Sequence, residues 1–252
     1  MLFRIEDIKN TVLQGSALEV LKKIPPEVFD MVFIDPPYFL QLKRKRLKRW
    51  NSKTTVRGVF EEWDRFSSFE EYDGFIESLL LEVKRVMKPN ATLWVIGTYH
   101  NIFRVGKIMQ DLGFWILNDV IWVKTNPMPN WLGVRFTNAT ETLIWAVKDK
   151  SVKNYTFNRE YAKSFGIGKI GANVWMLPIC GKKERLPHPT QKPLELLKRV
   201  ILTSTKEGDL ILDPMAGTGT TGVAAKMLGR EFVMIEKEPQ YVKLIRERLS
   251  QL

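Results

Sequence analysis

Asp35, Pro36, Pro37 and Tyr38 close the apolar run "FDMVFID" and together make a rigid hydrogen-bond acceptor. Two consecutive prolines fix φ and lack N–H donors, so the carbonyls around them are firmly held and can only accept. Asp35 adds a charged acceptor and Tyr38 an aromatic face. The set suits a planar substrate carrying an exocyclic amine. Asp35 and the Pro36 carbonyl accept its two N–H bonds, and Tyr38 stacks on the ring. A purely structural turn reads the same way, because proline pairs are common in loops.

A second group lies near the other end of the chain. Gly217, Gly219 and Gly222 fit G-x-G-x-x-G between a strand pattern and a helix pattern, and Glu236 ends the next strand pattern 19 residues beyond Gly217. Such glycines permit a tight turn and close backbone approach to a ligand, while the acid can take two ribose hydroxyls. The ligand classes are a dinucleotide or S-adenosylmethionine. A P-loop is excluded, because Val223 stands where that motif requires lysine.

The third group is Lys43, Arg44, Lys45, Arg46, Lys48 and Arg49, six cations within seven residues directly after the Asp-Pro-Pro-Tyr corner. Charge runs of this kind are usually solvated faces. Their position points instead to phosphates, with Trp50, Phe60, Trp63 and Phe66 near enough to stack on bases or to pack locally. Lys and Arg outnumber Asp and Glu by 39 to 28, a net charge of +11 that favours a nucleic-acid partner.

The elements that must position these groups alternate between short apolar runs and helical patterns, which predicts a mostly parallel, doubly wound α/β sheet. Strands are expected at 11–16, 29–35, 91–97, 119–124, 141–148, 209–214 and 231–236. Helices are expected at 75–90, stopped by Pro89, and at 101–114, 215–230 and 239–249, with Gly229 as a C-terminal cap and a further helix in "ALEVLKKI". The Gly-rich unit, normally first in a nucleotide-binding fold, comes last here. Placed ahead of residue 11 it restores a sensible order, so the sequence reads as a circularly permuted Rossmann-like sheet in a single domain, 1–252.

Cys180 is the only cysteine, so no intrachain disulfide or cysteine-based zinc site is expected, and no metal at all. The N-terminus "MLFRIEDIKN" lacks an apolar h-region, and no apolar stretch approaches the ~20 residues of a membrane span; the default location is the cytoplasm.

With these residues in place the chain resembles the β-class adenine-N6 DNA methyltransferases, most closely the cell-cycle-regulated, GANTC-methylating type. "WVIGTYHNIFRVG", "DLGFWILNDVIWVKTNPMPN", "RFTNATETLIWA" and "HPTQKPLELL" carry the likeness in order over about residues 10–250. The resemblance implies an S-adenosylmethionine-dependent methyltransferase fold, double-stranded DNA as substrate, and Asp35, Pro36, Pro37 and Tyr38 as the catalytic motif. It implies that Asp213, Pro214, Met215, Ala216, Gly217, Thr218, Gly219, Thr220 and Thr221 wrap the cofactor's methionine part and that Glu236 binds its ribose. Thr190, Gln191 and Lys192 match the motif closing over the amino-acid end, and Gly15 and Ser16 the strand end beside the adenine. A basic DNA-binding loop is expected at about 39–66 and a small target-recognition insertion at about 148–187. A homodimer and a companion restriction enzyme are candidate partners.

Three departures stand out. Met215 replaces an aromatic residue, Ser16 replaces an aspartate, and the C-terminal extension typical of the GANTC group is not in this sequence. Asn126, Asn130 and Asn138 are candidate base or phosphate contacts or, equally, turn formers. His188 reads as loop-shaping, His100 and Cys180 as structural, and Trp94, Trp115, Trp122 and Trp145 as core. Cytosine-N4 methylation is the nearest rival reading, disfavoured because that motif usually begins with serine. RNA methylation, a nicotinamide-dependent dehydrogenase and a non-catalytic DNA-binding module are the others.

Overall fold

The computed structural model describes residues 1–40, 47–48, 55–56, 62–130, 133–165, 171–188 and 190–252. Lys43, Arg44, Lys45, Arg46 and Arg49 therefore lie outside the described residues, as do Trp50 and Phe60. Lys48 is described only as backbone, in a two-residue strand.

In chain order the elements are α1 (Ile5–Ile8), β1 (Thr11–Gln14), α2 (Ala17–Leu21), β2 (Phe29–Ile34), β3 (Leu47–Lys48), β4 (Thr55–Val56), a 3-10 turn (Glu62–Asp64), α3 (Phe69–Val86) and β5 (Met87–Gly97). There follow α4 (Ile102–Asp111), β6 (Trp115–Lys124), β7 (Thr140–Val147), α5 (Arg159–Phe165), β8 (Val174–Leu177), α6 (Leu194–Ser204), β9 (Leu210–Asp213), α7 (Thr220–Met227), β10 (Glu231–Glu236) and α8 (Pro239–Ser250).

Eight strands form one sheet in the order β1-β10-β9-β2-β5-β7-β6-β8. Counting from β9, the first five read 3-2-1-4-5, the Rossmann order, all parallel. β7 runs antiparallel to both its neighbours, and β8, from the 148–187 segment, pairs parallel to β6 and so extends the main sheet. Strand order reverses between β9 and β2. Ligands of open α/β sheets bind outside the carboxyl ends of strands at such a point. Asp213 ends β9 and Asp35 follows β2, so the permuted chain delivers both motifs to one crevice.

Alternation along β2 and β5 fixes the two faces. Val32, Ile34, Leu93 and Val95 pack under α2, α3 and α4, while Met31, Phe33, Trp94 and Ile96 pack under α6, α7 and α8.

α3 corrects an expected boundary. It begins at Phe69, because the Ser68 hydroxyl accepts the Glu71 N–H at 3.2 Å and the Glu71 carboxylate accepts the Ser67 N–H at 2.6 Å. It ends at Val86, and Pro89 lies inside β5 rather than stopping the helix, since a residue before proline is already pushed toward extended backbone. "ALEVLKKI" gives only the five-residue α2. Trp94, Trp122 and Trp145 are buried as expected, but Trp115 is 45% exposed at the start of β6, with Lys150 over its ring.

Candidate active site

The corner after β2 is held from behind by its backbone. Both oxygens of buried Asp64 are used: Oδ1 accepts the Tyr38 and Phe39 N–H groups, each at 2.7 Å, and Oδ2 accepts that of Leu40 at 2.9 Å. The Tyr72 hydroxyl donates to the Pro37 carbonyl at 2.8 Å. Phe39 adopts a φ of 50°, a conformation unfavourable for an aromatic residue. The rings of Phe66, Phe69 and Tyr72 packed around it hold it there. Pro37's acceptor is thus spoken for, and Asp35 with the Pro36 carbonyl remains the pair expected for an amine.

In front of that frame lies a buried charge network. Lys192 Nζ donates to Asp35 Oδ2 at 2.6 Å and sits 5.3 Å from the centre of the Tyr38 ring. The Tyr38 hydroxyl lies 3.0 Å from Asp35 Oδ1 and 3.1 Å from Glu141 Oε2. Lys124 Nζ is 2.8 Å from Glu141 Oε1. Burial raises the Asp35 pKa, opposed by the Lys192 ammonium. Burial would lower that of Lys192, but Asp35 and Glu141 more than offset it and hold the amine charged. The Tyr38 phenol is pushed well above its usual value by burial and then by the two carboxylates, so it stays protonated.

On the other side of the crevice the Gly-rich turn is stapled by Asp213. Its carboxylate accepts the Met215 N–H at 3.0 Å and the Thr221 hydroxyl at 2.5 Å, joining the two ends of the loop. Burial carries its pKa up to about 7 despite those bonds. Two of the three glycines serve packing rather than ligand approach. A Cβ on Gly219 would meet Ile245 of α8 at 2.8 Å, and one on Gly222 would meet Met234 of β10 at 2.3 Å. Glu236 accepts the N–H groups of Gly217 and Glu238, each at 2.8 Å, and burial raises its pKa. His188 closes this side, stacked parallel to Trp63 with centroids 6.3 Å apart and edge-on to Tyr241. Its burial takes its pKa down to about 4, leaving it neutral.

Corner and turn face one cavity of about 330 Å³, within the range of small-ligand sites. Its lining includes Asp35, Pro36, Tyr38, Gly15, Ser16, Met215, Gly217, Glu236 and Thr190.

A family model described as DNA methylase, covering N6 and N4 enzymes, matches residues 29–247. The chain belongs to this DNA methylase family. It is 48% identical to the type II methyltransferase M.HinfI of Haemophilus influenzae, over 98% of this chain and 70% of that one. It is 43% identical to the type II methyltransferase M2.LlaDCHI of Lactococcus lactis subsp. cremoris, over 96% and 90%. Among solved structures it resembles the M1.HpyAVI–SAM complex, with a TM-score of 0.69, 25% identity, and coverage of 95% and 98%. The cytosine-N4-specific PvuII DNA methyltransferase shares the fold, with a TM-score of 0.72 at 20% identity over 94% and 85%.

Several candidate residues of the methylase also make bonds within the fold. The Gln191 side chain lines the cavity while accepting the Leu186 N–H at 2.8 Å and donating to the Glu184 carbonyl at 3.0 Å, so it also shapes its own loop. Lys192, expected at the cofactor's amino-acid end, lines the cavity and also holds Asp35. Asn126 accepts the Ile179 N–H at 2.8 Å, and Asn130 donates to the Arg135 carbonyl at 2.8 Å, while Asn138 is exposed. Cys180 has its pKa raised by burial to about 11, and a thiol so held is a poor nucleophile. Glu141, Asp64, Tyr72 and Lys124 were not legible as site residues. Asp64 sits in "EEWDRF", where nothing local distinguishes it from the neighbouring acids. Among the described residues no His, Cys, Asp or Glu group could hold a metal ion, and no helix is long and apolar enough to cross a membrane.

Proposed function

We propose that this DNA methylase transfers a methyl group from S-adenosylmethionine to the N6 amine of an adenine flipped out of double-stranded DNA. The observation that carries the reading is a shared cavity. The corner from Asp35 to Tyr38 lines it on one side, and Gly217 of the glycine turn and the strand-end acid Glu236 line it on the other. The donor set fits the cofactor: Glu236 for ribose hydroxyls, the loop from Asp213 to Thr221 for the amino-acid part, and Met215 as a polarisable apolar cover. When bound, the cofactor supplies an electrophilic methyl on a sulfonium.

The protein's own residues do the rest. An aromatic amine is a poor nucleophile because its lone pair delocalises into the ring. Asp35 and the Pro36 carbonyl accept its two N–H bonds, which draws the nitrogen toward tetrahedral geometry and localises that pair. Lys192 opposes the burial that would otherwise favour the protonated form of Asp35. Asp64 and Tyr72 keep the acceptors from turning away, and such orientation is a large part of the rate. Tyr38 is fixed at its hydroxyl with Lys192 near its ring, and it lines the cavity in which the base would stack on it. Stacking of about 1–3 kcal/mol offsets much of the few kcal/mol that flipping costs.

Asp35, rather than serine, favours adenine over cytosine. The likeness to the GANTC-methylating type suggests that site, with the 148–187 segment reading the sequence and the cations of 43–49 holding phosphates. The test is methyl transfer from labelled S-adenosylmethionine to unmethylated genomic DNA, followed by nucleoside analysis and single-molecule sequencing. N6-methyladenine at one recurring motif is expected. N4-methylcytosine as the product would overturn the adenine assignment.

A further inference from the structure

One hydroxyl stands between two carboxylates at the centre of the network. Tyr38 Oη is 3.0 Å from Asp35 Oδ1 on one side and 3.1 Å from Glu141 Oε2 on the other. An ionised carboxylate can only accept hydrogen bonds, and a phenol carries a single hydrogen. Two oxygen–oxygen gaps are therefore served by one proton. The trio has room for one more: a proton placed on either carboxylate would complete the second bond.

Its location says where such a proton could come from. Asp35 and Tyr38 line the cavity, whereas Glu141 is not among its lining residues. Glu141 belongs to β7, two strands from β2 in the sheet. The other charged groups facing it are Lys124 Nζ at 2.8 Å from Oε1 and Lys192 Nζ at 3.8 Å from Oε2. Those two ammoniums balance the two carboxylates, so the network is neutral before a proton arrives. Each methyl transfer to a neutral amine leaves one surplus proton on nitrogen.

We propose that Asp35, Tyr38 and Glu141 form a proton relay that carries this surplus proton from the methylated nitrogen away from the cavity. The proposal rests on the amine-methylation reading above. The nitrogen lone pair forms the N–C bond while the S–C electron pair stays on sulfur, and in the same step one N–H pair returns to nitrogen as its proton passes to Asp35. Asp35 protonates the Tyr38 oxygen as Tyr38 gives its own proton to Glu141 Oε2. The net change is one proton moved from base to Glu141, with Asp35 and Tyr38 restored, and Glu141, which keeps 9% exposure, passes it to bulk water before the next turnover.

The test compares Glu141→Gln, Tyr38→Phe and the double variant in single-turnover methyl transfer. Glutamine still accepts a bond from Tyr38 but cannot be protonated there, and phenylalanine keeps the ring without the hydroxyl. Each single variant is expected to slow transfer about tenfold or more. The double variant is expected to be no slower than the slower single, as for residues acting in one chain. Cofactor affinity by calorimetry, and base flipping by 2-aminopurine fluorescence, should stay within about twofold. E141Q turning over like the unaltered protein, or losses that multiply in the double variant, would overturn the relay. So would loss of flipping or cofactor affinity in E141Q, which would make Glu141 a shaping residue. Failure of the unaltered protein to methylate DNA at all would instead overturn the underlying reading.

Discussion

Asp64 Oδ1 accepts the backbone N–H of Tyr38 at 2.7 Å across 26 residues of sequence, tying the turn before α3 to the corner after β2. The same carboxylate holds the next two N–H groups, so one buried side chain fixes the backbone course of residues 38–40. Without it three donors in a buried or partly buried loop lose their partner.

Asp64→Ala is accordingly expected to lower unfolding free energy by about 2–4 kcal/mol, since bonds to a charged acceptor contribute about 1.5–3 kcal/mol each and do not simply add. Urea unfolding measures this. Methyl transfer should fall more than cofactor affinity, because the corner and not the Gly-rich loop is released. A change below about 0.5 kcal/mol would show that the aromatic packing around Phe39 holds the loop unaided.

Lys192→Met removes the ammonium 2.6 Å from Asp35 while Glu141 keeps Lys124. Burial already raises the Asp35 pKa and Lys192 opposes it, so the variant's carboxylate should protonate at higher pH still. A group whose folded pKa is raised loses its stability contribution as pH climbs through that value. The variant should therefore be destabilised most at alkaline pH, by up to about 3–5 kcal/mol. Residual methyl transfer needs ionised Asp35 and should increase with pH. A flat pH–rate profile in the variant would argue that Asp35 does not accept from the amine.

Asp213 and His188 make opposite contributions in the same pH window. Asp213 rises to about 7, so what it gives is present below the ordinary carboxylate value of about 4 and lost as pH climbs toward 7. His188 falls to about 4, so what it gives is present above about 6.5 and lost as pH drops toward 4. Thermal melts from about pH 4 to 8 should show D213N gaining on the unaltered protein as pH rises, and H188Q gaining as pH falls. Parallel curves for all three would refute both shifts.

The two packing glycines should differ in tolerance. Gly219 has a φ of 76° and its Cβ would meet branched Ile245, whereas a Gly222 Cβ would press mainly on the flexible end of Met234, with the Phe232 ring next at 3.2 Å. Gly219→Ala is expected to cost about 2–4 kcal/mol and Gly222→Ala about 1–2 kcal/mol, read by denaturant melts. The reverse order would mean that β10 cannot move Met234 aside.

What the sequence determined is what local chemistry can encode. Strand, rigid corner, glycine turn and strand-end acid each arise within a few residues, so Asp35 to Tyr38, Gly217 and Glu236 were legible, and the late Gly-rich unit announced the permuted sheet. The start of α3 is encoded locally as well, in the cap formed by Ser68 and Glu71, which begins the helix at Phe69, ahead of the apolar pattern from Phe75 onward. Tertiary structure alone decided the charge network. Lys192 reaches Asp35 across 157 positions and Tyr38 reaches Glu141 across 103. A lone Glu or Lys at a strand end carries no local signal, since its meaning comes from strands that become neighbours only when the sheet forms. For the same reason the loop-shaping bonds of Gln191 and Asn126 were not legible, because the backbone groups that their side chains satisfy are presented only on folding.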